Sequence, residues 1–203
     1  ADLSGADLSG ANVGGANLSM TVLTGADLSG ARFEGSNLAG AQITGTDLST
    51  ANLRRANLAA SDLSRTNLTR VKLLRADLSG ANLSGVDLSK RRLVGMNLSG
   101  ANLSGANLQK AWLKKSNLSG ADLSGANLSE ARDGERAVYF GAKADSATIW
   151  WDGFNPGAAG VVFASSESSS PEAKSSADSM NTDRVRQSSS ADPLDRLEKL
   201  GEL

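Results

Sequence analysis

The sequence predicts an all-β solenoid, a rod of stacked coils, on two observations. From Leu3 to Leu128 every fifth residue is apolar: 26 positions, of which 23 are Leu, with Val13, Phe33 and Ile43 the exceptions. Around each of these centres the residue types recur in a fixed order, a small residue two places before, Asp or Asn between, then most often Ser and Gly, as in Ala1 to Gly5. A period of five fits neither a helix nor a flat strand, and a sustained internal repeat decides the architecture ahead of any local propensity.

Each unit follows from its residue types. Over three extended residues, side chains alternate, so the small residue and the Leu face one way and the Asx faces the other. The last two positions read as a turn, and Gly fills the final one in 15 of 26 units, as the positive φ of a type II turn favours. A chain that turns a corner every five residues in one sense winds into a coil, and its backbone groups pair with the coils above and below. The Leu residues then stack inside as columns, and Ala accompanies them because the interior is too narrow for two large side chains per unit. Stability is largely a sum of terms between neighbouring coils.

The pattern A(D/N)LSG, as in Ala1 to Gly5, Ala26 to Gly30, Ala81 to Gly85 and Ala121 to Gly125, resembles the pentapeptide repeat family over residues 1–130. The resemblance implies a right-handed, quadrilateral parallel β-helix with four units per coil, hence about 6.5 coils and a rod about 30 Å long at the ordinary strand spacing. Such a rod is expected to have no concave cleft.

Departures from the pattern come next along the chain. From 50 to 75 the corner residue is Thr50, Arg55, Ala60, Arg65, Arg70 and Arg75, never Gly. These corners are expected to avoid positive φ and to change local geometry. Arg91 takes the inward small position and Met96 does the same one unit later. A buried Arg needs a partner or a route to solvent, and a bulged or splayed corner is the expected accommodation.

Sorting the units by side, four per coil, gives one side made of 11–15, 31–35, 51–55, 71–75, 91–95 and 111–115. It carries Arg32, Arg54, Arg55, Lys72, Arg75, Arg91, Arg92, Lys114 and Lys115 against Glu34 alone, 9 of the 13 basic residues in the repeats. The candidate interaction face is Arg32, Arg54, Arg55, Lys72, Arg75, Arg92, Trp112, Lys114 and Lys115. A row of cations on a stacked β surface can serve solubility and block lateral association. It can equally dock an acidic partner, whether protein, nucleic acid or anionic surface, with Trp112 available for stacking. Rows of Asp and Asn, such as Asp7, Asp27, Asp47 and Asp87, bring too few oxygens to one point for calcium, so stacked side-chain hydrogen bonding is expected and no metal.

Past Glu130 the pattern stops. Residues 131–163 hold Tyr139, Phe140, Ile149, Trp150, Trp151, Phe154 and Phe163, and read as a cap over the last coil's open core. The piece 147–160 resembles the closing segment that follows the repeats in many bacterial members of the family. Residues 164–191 are Ser-rich with scattered charges and read as a disordered linker. In 192–203, Asp192 stands as N-cap, Pro193 at the first helical position, and Leu194, Leu197 and Leu200 form an apolar stripe, the signature of a short amphipathic helix. That stretch resembles the opening of the short C-terminal bacterial helical (SHOCT) domain.

Composition narrows the function classes. Among 203 residues there is no Cys and no His, which removes disulfides, thiol nucleophiles and imidazole chemistry, and net charge is −1. No catalytic residues and no cofactor are expected, nor a small-molecule substrate, since a repeat rod spreads like polar groups evenly instead of converging them. No apolar run approaches the roughly 18 residues of a membrane span, no export signal is evident, and the expected location is the cytoplasm. The expected function is a non-enzymatic protein-interaction scaffold with flat β faces, with an end of the rod as a route to homodimers. The family resemblance also raises a gyrase-binding DNA mimic, but 13 basic against 10 acidic residues give the repeats +3, opposite to what mimicry of DNA needs.

Overall fold

The computed structural model describes residues 1–164, and within it the Asx position of one unit bridges in parallel to the residue 20 further on. Asp2 pairs with Val22, Asn12 with Arg32, Asn37 with Asn57 and Asn102 with Asp122. Twenty residues are four five-residue units, so each coil has four sides. Along each side the centre residue and the corner residue donate to the next coil: Leu98 N to Asn117 O at 2.7 Å and Gly100 N to Ser119 O at 2.8 Å. The Asx amide donates to the coil before, as Asn102 N does to Ala81 O at 2.9 Å.

The core is the stack of centres with the small residues between them. Leu23, Leu53, Leu83, Leu103 and Leu123 are wholly buried, as are Ala51, Ala81 and Ala101. At four of the Ser or Thr small slots the hydroxyl donates to the carbonyl of the preceding centre, as Ser36 does to Phe33 and Thr46 to Ile43 at 2.8 Å and Ser61 to Leu58 at 2.6 Å, while Ser116 donates to Leu93 on the coil before. That bond is what lets a hydroxyl sit in an apolar column.

The corners contradict one expectation. Thr50, Arg55, Ala60, Arg65, Arg70 and Arg75 do not avoid positive φ: they lie between 54° and 60°, close to Gly5 at 67° and Gly100 at 65°. The geometry is uniform because each corner must hand the ladder on in register, and a single exposed left-handed residue costs only about 1–2 kcal/mol. A turn-closing bond crosses all six corners, from Ala51 N to Leu48 O at 3.0 Å through Ala76 N to Leu73 O at 2.9 Å, and holds these residues there.

The Asx row also does more than stack. Its side-chain oxygen accepts the amide two residues on, capping its own corner: Ser29 N to Asp27 at 2.9 Å, Ser104 N to Asn102 at 3.0 Å, Ser124 N to Asp122 at 3.0 Å. Bonds between coils join only some members, Asn82 to Asp62 at 3.1 Å and Asn102 to Asn82 at 3.2 Å among them. Asx is suited to the position because its short side chain reaches that amide.

Beyond Glu130 the ladder continues rather than stopping. Asn117 bridges to Val138, Asp122 to Lys143 and Asn127 to Ile149, so an irregular further coil lies on the last regular one. A 3-10 turn occupies Gly134–Arg136, and two short strands, β1 (Lys143–Ala144) and β2 (Val162–Phe163), pair in parallel. Tyr139 is buried and packs with Trp150, Trp151 and Phe154, whose ring centroids lie 4.0–6.2 Å apart. Gly134 is required there, since a Cβ would meet the Trp151 ring at 2.5 Å. Phe140, Ile149 and Phe163 do not join that cluster and are exposed. Ile149 takes the outward bridging position of the ladder, while its neighbour Trp150 packs against the core.

The expected linker, from residue 165 on, and the expected helix at 192–203 lie outside the described residues. Among the described residues no helix is long and apolar enough to cross a membrane.

Candidate functional site: the basic wall and its opening

The 20-residue register places the nine candidate residues on one side. Its outward row runs Asn12, Arg32, Asn52, Lys72 by successive bridges, then Arg92, Trp112, Arg132. The corner pairs Arg54–Arg55, Leu74–Arg75 and Lys114–Lys115 flank that row. Among the described residues no ion pair involves Arg32, Arg54, Arg55, Lys72, Arg75, Arg91, Arg92, Lys114 or Lys115; the pairs present are Lys110 with Glu130 and Arg136 with Asp133 and Glu135. Asn52 Nδ2 reaches the one carboxylate of the side, Glu34, at 3.4 Å.

Trp112 is not a free stacking platform. It is half-buried, with the Arg92 guanidinium 5.0 Å and the Arg132 guanidinium 5.6 Å from its ring centroid. The ring is the centre of a cation–π stack that holds the two guanidinium groups in place. Arg132 lies past the last regular unit and is absent from the predicted face, though its place 20 residues after Trp112 signals it.

The ladder is interrupted in one place. Among the described residues no bridge joins Asn67 to Asp87 or Lys72 to Arg92, and the amides of Arg65, Leu68, Arg70, Leu73, Arg75, Asp87, Arg92 and Asn97 have no ladder partner. The cause is legible in the small slot. Everywhere else in the repeats it holds Ala, Ser or Thr; on either side of the interruption it holds Val71, Val86, Arg91 and Met96. Four oversized residues in a close-packed interior hold the coils apart, because overpacked side chains displace backbone before they compress. Arg91 is the extreme member: it is half-buried, and the opening is its route to solvent. The splayed geometry expected at Arg91 is therefore present.

The expectation of a rod without a cleft is corrected by the same feature. The opening is a cleft of about 390 Å³ lined by Arg54, Val71, Lys72, Leu73, Leu74, Lys90, Arg91, Arg92 and Leu93. A shallower hollow of about 140 Å³ beside it is lined by Glu34, Arg54, Arg55, Leu74 and Arg75. The structure thus brings Arg54, Lys72 and Arg92 of the predicted face into one cleft, adds Lys90 and Arg91, and leaves Lys114 and Lys115 outside it. Lys90 belongs to the neighbouring side and escapes a sorting by sides, but its adjacency to Arg91 and Arg92 marks it. The Ser89 amide, against opposing burial, then the Ser89 hydroxyl, and after it the charges of Arg91 and Lys90, hold the Asp87 carboxyl below its ordinary range.

The sequence matches the family described as Pentapeptide repeats in eight copies, over residues 1–40, 16–55, 51–89, 81–120 and 97–132. Among solved structures it is similar to HetL, a pentapeptide repeat protein involved in heterocyst differentiation regulation from the cyanobacterium Nostoc sp. strain PCC 7120, at 31% identity covering 71% of each chain, TM-score 0.39. It is also similar to QnrB1, a plasmid-mediated fluoroquinolone resistance protein, at 21% identity over 81% of this chain and 78% of that one, TM-score 0.49. A third likeness is to Rfr23 from the cyanobacterium Cyanothece 51142, at 27% identity over 71% of this chain and 90% of that one, TM-score 0.18. No curated protein matches the sequence.

Proposed function

The chain belongs to the pentapeptide repeat family, and from that premise we propose that it is a non-enzymatic interaction scaffold whose basic wall docks an acidic macromolecular partner. The observation that carries this reading is a wall of cations of which none is paired with a carboxylate among the described residues. A solubilising surface is served by interspersed charges of both signs; sorting 9 of the 13 basic residues of the repeats to one side creates a directional field that steers an acidic surface into contact. The family's right-handed quadrilateral coil, about 6.5 turns over 1–130, supplies the flat faces and fits the 20-residue register.

An acidic protein surface is favoured over a nucleic acid, because the one aromatic on the wall has a guanidinium over its ring and so offers no open face to a base. Mimicry of DNA is disfavoured by the +3 of the repeats, 13 basic against 10 acidic. The test is capture of partners from the native host, with the Arg54, Arg55, Lys114 and Lys115→Glu quadruple variant as control. The proposal expects a partner retained by the parent, released by raising salt from about 50 to 200 mM, and lost in the variant. Capture that is equal in both proteins removes the docking role and leaves the wall as a solubility device.

A further inference from the structure

We infer that the opening between Val71–Leu74 and Lys90–Leu93 is a binding site for a small phosphate ester, its phosphate held by the cations and its organic body laid on the apolar floor. This goes beyond the docking wall, which would present its charges equally well if the ladder were closed. Three observations meet here.

The first is electrostatic. Arg54, Lys72, Lys90, Arg91 and Arg92 line the cleft with no carboxylate among the lining residues. Two acids lie by the cleft: Asp87, which feels Arg91 and Lys90 and whose oxygen is engaged by the Ser89 amide at 2.9 Å, and Glu34, which lines the adjoining hollow with Arg54 and accepts from Asn52 at 3.4 Å. Arginine guanidinium groups offer paired donors matched to phosphate oxygens, and lysines add point charges.

The second is the backbone. Leu73 and Arg92, both in the lining, carry amides without a ladder partner among the described residues. Free amides beside clustered cations are what oxyanion sites use.

The third is shape. The volume of about 390 Å³ falls in the range of small-molecule pockets, and Val71, Leu73, Leu74 and Leu93 provide an apolar floor that a bare inorganic ion would leave uncovered. The site also comes at a stability cost that solubility does not require. A charge needs only an outward slot to keep the rod in solution; Arg91 sits in an inward slot and, with Val71, Val86 and Met96, holds the ladder open. A local rule broken without structural gain points to function.

The experiment is calorimetric titration of the full chain with phenyl phosphate, inorganic phosphate and phenol. Saturable one-to-one binding of phenyl phosphate is expected, about tenfold tighter than inorganic phosphate because the ring is buried as well, with phenol weaker still. Arg91→Ala restores the usual small residue. It should weaken phenyl phosphate at least about tenfold, as loss of a charge-assisted contact does, and slow amide exchange at Leu73 and Arg92 as the ladder closes. The Lys114→Glu, Lys115→Glu double variant, on the same wall but outside the cleft, should bind phenyl phosphate within about twofold of the parent while losing partner capture. If Arg91→Ala fails to fold, Lys72→Gln with Arg92→Gln carries the same tenfold expectation. Absence of saturable binding, inorganic phosphate binding as tightly as the ester, or unchanged affinity in the cleft variants overturns the site. A long nucleic acid that binds while phenyl phosphate does not also overturns it. None of these outcomes decides the partner capture, which fails or holds by the lysine variant.

Discussion

Replacing Asn102 by Ala removes two interactions at once. Its Oδ1 accepts the Ser104 amide at 3.0 Å, which caps the corner, and its Nδ2 donates to Asn82 Oδ1 on the coil before at 3.2 Å. Both bonds are half-buried, so each is worth about 0.5–1 kcal/mol net and the pair about 1–2 kcal/mol. For a domain of this size that lowers Tm by roughly 2–8 °C. Asn102→Asp keeps the acceptor for Ser104 but loses the donor to Asn82 and sets a carboxylate opposite Asp122 on the next coil, so its stability loss mixes two effects and the capping role is read from Ser104 alone. Because coils open locally in a solenoid, the sharper assay is amide exchange at Ser104, which should accelerate in the Ala variant and stay slow in the Asp variant. An Ala variant within about 0.5 kcal/mol of the parent, the range of an ordinary surface change, with Ser104 exchange unaltered, would refute the capping role of the Asx row.

The other predictions concern corners and pH. Gly100 sits at φ 65° with nothing within 4 Å of a Cβ, so Gly100→Ala meets backbone strain alone and should cost about 1 kcal/mol or less after the offsetting gain from a stiffer unfolded chain. Arg70→Gly, at φ 56°, should be neutral or stabilising by up to about 1 kcal/mol; urea unfolding that ranks the two the other way contradicts a uniform left-handed corner. Asp62 and Asp87 titrate below the ordinary 3.8: at Asp62 burial pushes upward but the Ser64, Thr44 and Asn82 donors outweigh it, and at Asp87 the Ser89 amide leads. Folded-state values below the unfolded ones add stability that is fully present above pH 3.8 and is lost as pH falls through the lower folded values. Denaturation midpoints should therefore drop below pH 4, and less steeply in Asp62→Asn, which keeps the Oδ1 acceptor; an identical pH profile for that variant contradicts the assignment.

The repeat was legible because its frame never slips: an apolar centre every five residues, most often with an Asx that reaches the amide two residues on and a small residue beside the centre. The number of units per coil was not readable from spacing alone, since any closed coil of such units would keep the same local pattern. The corners from Thr50 to Arg75 misled because Gly content is a preference, whereas the turn-closing bond across each corner fixes φ whichever residue is present. Arg91 announced a disturbance, but its extent depends on Val71, one coil earlier, and on Val86 and Met96 on adjoining sides, and only the 20-residue register makes these neighbours. Trp112 read as exposed because Arg132, which covers one face, belongs to a stretch where the pattern has ended.

The sidedness of the charge, the docking wall and the cleft all depend on a four-unit coil, and the absence of native cysteines allows that to be measured directly. Ladder partners on adjoining strands lie roughly 4.8 Å apart, within the span a disulfide bridges. Arg32 bridges Asn52, so Arg32→Cys with Asn52→Cys should oxidise to an intramolecular disulfide. Arg32→Cys with Asp47→Cys, the spacing of a three-unit coil, and Arg32→Cys with Asn57→Cys, that of a five-unit coil, should not. Cross-linking in either of those pairs, with none between positions 32 and 52, would contradict the architecture and scatter the basic wall.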